Sequence, residues 1–105
     1  MLGDCYVVAY REQQKSRDAI LVHGLVNGQG KLKGIKYNHA WVEIGDTVID
    51  RTIQSESMQE MPKLAYYALG DIKTTYKYSF MEVIERSLET ETYGPWEDEL
   101  LSNKH

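Results

Sequence analysis

The chain has a single cysteine, two prolines and one phenylalanine in 105 residues. One cysteine excludes an internal disulfide. Nowhere is there a run of about 18 apolar residues, the length that spans a bilayer as a helix. The opening segment MLGDCYVVAYREQQ puts no basic residues ahead of an apolar stretch and has no small-residue cleavage site, so no secretion signal is expected. These absences point to a reducing, cytoplasmic setting. Positive charge is also short: the formal net charge is −4. An acidic chain lacks the electrostatic footprint of a general nucleic-acid binder. The local exception is GKLKGIK, with Lys31, Lys33 and Lys36 close together, which reads as a solvated hairpin tip. Cys-x-x-Cys and His-Glu-x-x-His spacings are missing, so neither a metal nor a cofactor is expected. GQGKLKG lacks the Gly-Lys-Ser/Thr of a phosphate loop and reads as a flexible flap between two strands.

What remains is one globular domain over residues 1–105. DCYVVAYREQQ predicts a helix, with Asp4 placed to cap it and Cys5 near its positive end. DAILVHGLV, IKYNHAWVEI and TVIDRT predict three strands, the last two joined by Gly45-Asp46. Residues 53–61 read as loop. PKLAYYAL predicts a short helix stopped by Gly70, and DIKTTYKY a fourth, shorter strand. SFMEVIERSLETET predicts a helix opened by a Ser79–Glu82 capping box, with Phe80, Val83, Ile84 and Leu88 as its apolar stripe. Residues 98–105 are expected to fray. The order implies an α+β domain: an N-terminal helix on an antiparallel sheet of three to four strands, followed by a C-terminal helix.

A two-residue turn at Gly45-Asp46 pairs Glu43 with Val48 and brings Asp50 and Thr52 onto the side chain face of Trp41 and His39. Asp50 then stands diagonally from His39, at roughly 7–8 Å between backbones, and its carboxylate can lean across to the ring. A carboxylate on one imidazole nitrogen leaves the other to act as a base. Cys5, His39 and Asp50 are therefore the parts of an activated cysteine nucleophile. Taken singly, a strand histidine is more often a packed polar residue and a lone cysteine a small core residue. His23, in LVHGLV, reads as a core-edge histidine bonded to backbone, or else as an oxyanion donor. Trp41 is expected to pack beside His39. Glu43 is expected to be solvated. Tyr66, Tyr67, Tyr76 and Tyr78 read as packing residues rather than a base-stacking platform.

A cysteine opening the first helix, then HAWVE on a strand, then VID on the next, resembles the papain-like cysteine peptidase superfamily, including its compact NlpC-type members and transglutaminase-like domains. GDCYVVAY, LVHGLVNGQGKLKGIKYNHAWVE, VIDRT, YYALGDI and YGPW together resemble a family of small phage and bacterial proteins. The resemblance implies a papain-like core and a thiol-dependent hydrolase or acyltransferase of peptidase or amidase type, acting on a peptide or amide. It casts Cys5 as nucleophile, His39 as base and Asp50 as its orienter. Papain-type enzymes carry a glutamine before the cysteine; only four residues precede Cys5 and none is Gln. The oxyanion hole then falls to the Cys5 backbone and a donor such as Tyr6 or His23. The missing glutamine and small size support an alternative, an inactive papain-like scaffold that binds a protein partner. So small a domain, rich in tyrosine, also suits a homodimer.

Overall fold

In the computed structural model, residues 4–28 and 30–102 are described. Helix α1 runs over Asp4–Gln13, with Asp4 in its first turn and Arg11 in its last, each matching the sign of the helix dipole there. Asp4 is thus itself the first helical residue, and the position before it lies outside the described residues. Cys5, Tyr6, Ala9 and Gln13 form the buried side of α1.

Strand β1, Ile20–Asn27, pairs antiparallel over its full length with strand β2, Lys36–Ile44, from Ile20 opposite Glu43 to Asn27 opposite Lys36. The three lysines of the connecting tip and the start of β2 are exposed, as solvated charges should be. Gly45 has φ +58°, which the first central position of a II′ hairpin turn requires. The turn sets the register of strand β3, Thr47–Ile49: Ile44 opposite Thr47, Glu43 opposite Val48, Val42 opposite Ile49.

The third strand ends earlier than TVIDRT predicts. Asp50 folds its carboxylate back to accept from the Thr52 N–H at 3.1 Å, and from its hydroxyl. That local bond competes with the ladder and turns the chain. Residues 53–61, expected to be loop, hold a single 3-10 turn at Glu56–Met58 and the start of a short strand β4, Glu60–Pro62, with Met61 opposite Val48. Pro62 is tolerated because β4 is the sheet edge and its missing N–H costs no ladder bond. Helix α2, Lys63–Leu69, and strand β5, Thr75–Tyr78, follow where the sequence places them. The sheet therefore has five antiparallel strands in the order β4-β3-β2-β1-β5, more than the three to four expected.

Helix α3, Phe80–Thr90, opens with both bonds of its capping box, Ser79 Oγ to the Glu82 N–H and Glu82 to the Ser79 N–H. Its apolar stripe is narrower than predicted: Val83 is fully buried, but Leu88 is 74% exposed. The C-terminal segment departs most from expectation. Residues 98–101 form helix α4, Asp98–Leu101, with Leu100 fully buried and its carbonyl accepting from Asn38 Nδ2 at 3.1 Å. Fraying was predicted there from position alone, whereas burial of Trp96 and Leu100 anchors the segment. Residues 103–105 of that expected tail lie outside the described residues.

The sheet buries both faces. On one, Leu21, Ala40, Val42, Ile49 and Tyr78 pack with Cys5, Tyr6, Ala9, Val83 and Trp96. On the other, Val22, Val26, Trp41 and Val48 pack with Tyr66 and Ile72. The fold is α+β. No helix among the described residues is long and apolar enough to cross a membrane.

Candidate functional site

The early end of β3 leaves the N-terminal half of β2 without a strand neighbour on that side. Helix α1 packs mainly on β2. At this margin Cys5, from the α1 face of the sheet, meets His39, whose ring points with Tyr37 and Trp41 to the other face. His39 Nε2 lies 2.8 Å from Asp50 Oδ2, and the ring also hydrogen-bonds the Cys5 side chain. Asp50 is not a ladder partner of Trp41, nor Thr52 of His39. The facing set by the Gly45-Asp46 turn nevertheless persists one residue past the last pair and carries Asp50 to His39.

Asp50 is 3% exposed and fully engaged. Oδ2 accepts from His39 and from the Tyr66 hydroxyl at 2.7 Å; Oδ1 accepts from the Thr52 N–H and hydroxyl. Burial alone opposes its ionisation. The hydrogen bond and charge of His39, with the Thr52 and Tyr66 bonds, outweigh burial and hold it at about 2. Burial likewise opposes a charged His39. Hydrogen bonds to Asp50 and Cys5, with their charges, prevail and raise it to about 9. Near neutrality His39 is therefore a half-buried imidazolium between a carboxylate and a sulfur. Cys5 is 3% exposed.

Trp41 is fully buried and stands beside His39, ring centres 6.2 Å apart and planes at 30°. Its Nε1 donates to Glu43 Oε2 at 3.0 Å. Glu43 is not solvated as expected: it is 3% exposed and also accepts from Tyr67, with Lys77 at 3.3 Å and Lys63 at 3.5 Å. It shares the Trp41 face, which α2 covers, so two lysines and a phenol replace water around it.

Tyr6 donates its hydroxyl to Asn38 Oδ1 at 2.7 Å. Its backbone N–H lies in the first turn of α1, where the helix supplies no acceptor of its own. His23 is not brought to the site. It sits opposite Ala40 in the ladder, on the other face from His39, and is fully buried. The Tyr6, Trp96 and Tyr78 rings surround it at 4.7, 4.9 and 5.2 Å. The expected bond to backbone is not made: among the described residues neither ring nitrogen has a hydrogen-bond partner, and burial lowers its pKa to about 3.

Tyr66 is the site residue that sequence reasoning missed. Consecutive tyrosines on α2 each donate to a buried carboxylate, Tyr66 to Asp50 and Tyr67 to Glu43. The available signal was a match in number: two phenols on a helix, and two acids predicted on one sheet face. A cavity of about 330 Å³ opens beside the pair, with His39, Asp50 and Tyr66 in its wall. No cluster of three or more His, Cys, Asp or Glu suited to a metal ion occurs among the described residues. No family model matches the chain, and neither the curated proteins nor the solved structures compared with it provide a match.

Proposed function

We propose that this chain is a thiol-dependent hydrolase or acyltransferase acting on a peptide or amide, with Cys5 as nucleophile. The observation that carries this reading is the continuous hydrogen-bonded chain Asp50–His39–Cys5, assembled from three separate elements. The Cys5 sulfur attacks the carbonyl carbon and forms an S–C bond, while the carbonyl electron pair moves onto oxygen. The Tyr6 N–H is a candidate donor to that oxyanion. His39 gives its proton to the leaving nitrogen as the C–N bond breaks, leaving a thioester. Water, or an amine in acyl transfer, then attacks the thioester; His39 takes the proton and the thiol is regenerated. Asp50 fixes the ring and stays ionised throughout. A reduced thiol is needed, which a cytoplasmic setting maintains. The resemblance to small phage and bacterial proteins supports a role in such a system.

One observation favours a second reading, a non-catalytic papain-like scaffold that binds a protein: Cys5 is 3% exposed. Alkylation by iodoacetamide at pH 7 separates the two. The enzyme reading predicts that native protein is modified at Cys5, and that His39→Ala slows modification by about tenfold or more with the circular dichroism spectrum retained. Modification only after unfolding, or at a rate indifferent to His39→Ala, supports the scaffold and contradicts the enzyme.

A further inference from the structure

The cavity beside His39 lies where β3 stops short and α2 crosses the sheet. Its wall has two chemically distinct parts. One part is polar: His39, Asp50 and Thr52, with the Tyr37 and Tyr66 phenols and Asn27, whose buried Oδ1 has no hydrogen-bond partner among the described residues. The rest is chiefly apolar: Val26, Ile53, Met58, Met61, Leu69 and Ile72. Among the described residues Asp50 is the only acidic side chain in the wall, and each of its oxygens already accepts two hydrogen bonds. Imidazolium and carboxylate neutralise one another. A charged group entering the cavity therefore loses its hydration and finds no counter-ion. A neutral apolar group exchanges water for methyl, methylene and thioether contacts.

The mouth supports the same assignment. Met58 is 46% exposed and Leu69 52% exposed, so apolar surface is presented to solvent where an incoming group would first touch. The methionines, unbranched and polarizable, adapt to ligands of different outline. At about 330 Å³ the space falls in the range of small-molecule pockets and holds one bulky side chain. It also meets the reacting groups at His39: the His39–Asp50 pair forms part of the wall, and Cys5 lies behind the His39 ring rather than in the wall itself.

We infer that this cavity is the specificity pocket of the site and takes an uncharged aliphatic or aromatic side chain of the acyl substrate. The inference rests on the thiol-dependent reading above. Its test uses blocked aminoacyl chloromethyl ketones, in which the Cys5 sulfur displaces chloride, with iodoacetamide as the reagent that has no side chain to place. Leucyl and phenylalanyl reagents should inactivate Cys5 about tenfold or more faster than lysyl and glutamyl ones. Met58→Glu and Leu69→Lys, both at the exposed mouth, should each narrow that ratio by about threefold or more. Equal rates for all four reagents, alongside iodoacetamide labelling that still depends on His39, overturn the pocket and leave the hydrolase reading standing. Iodoacetamide labelling indifferent to His39→Ala overturns the underlying reading and the pocket's role with it.

Discussion

At the scale of single residues the site is governed by how completely Asp50 is satisfied. Four hydrogen bonds converge on one buried carboxylate, and one comes from Tyr66, on the helix that covers the opposite side of the cavity. Tyr66→Phe removes that donor without changing the ring. It should cost about 1.5–3 kcal/mol in urea unfolding at pH 7, the range for a hydrogen bond to a charged group. An unchanged unfolding midpoint would mean that the phenol contributes only its ring. That Asp50 faces His39 was legible in the sequence because a two-residue turn fixes parity, and parity fixes facing; no local signal in the turn placed Cys5, which came from the resemblance. Tyr66 was not legible, because a helix adjacent to a sheet can present any of its faces, and nothing local says which. His23 went the other way. Alternation placed it on a strand correctly, but whether its nitrogens meet a backbone group or three aromatic rings depends on α1 and on the segment around Trp96, remote in sequence.

At the scale of elements the informative departures are ends. Strand β3 stops at Ile49 because Asp50 prefers its own turn, and that early stop opens the margin through which α1 reaches His39. A longer β3 would have paired the N-terminal half of β2 and separated thiol from ring. The sequence shows the aspartate but not the competition between a side-chain turn and one more ladder pair. The same holds for α4. Leu100 occupies an interior position and its carbonyl is tied to Asn38, which also accepts from Tyr6, the neighbour of Cys5. The C-terminal segment thus buttresses the first turn of α1. Leu100→Ala should destabilise the fold by about 2–5 kcal/mol in chemical denaturation, as for other fully buried leucines. A loss under about 0.5 kcal/mol would show that the segment lies loosely on the surface.

At the scale of the whole molecule, His39 and His23 set opposite limbs of the stability profile. His39 has a pKa raised in the fold, to about 9 from 6.5, so its contribution is complete below pH 6.5 and is lost as pH rises through 9. His23 has a pKa lowered in the fold, to about 3, so its contribution is present above pH 6.5 and is lost as pH falls toward 3. Asp50, lowered to about 2, adds a further loss only below its ordinary 3.8. Thermal unfolding across this range should therefore give a profile highest near pH 6.5. His23→Phe should flatten the acid limb and His39→Gln the alkaline limb. A profile level from pH 4 to 9 would contradict both assignments.

The most direct measurement of the central claim, that sulfur, imidazole and carboxylate form one chain of contacts with His39 in the middle, is an NMR titration of the His39 ring. The account predicts a midpoint about 9 in the wild type, with Asp50→Asn and Cys5→Ala each moving it down toward 6.5. A wild-type midpoint near 6.5, or one that Cys5→Ala leaves in place, would show that the thiol and the ring do not share a site.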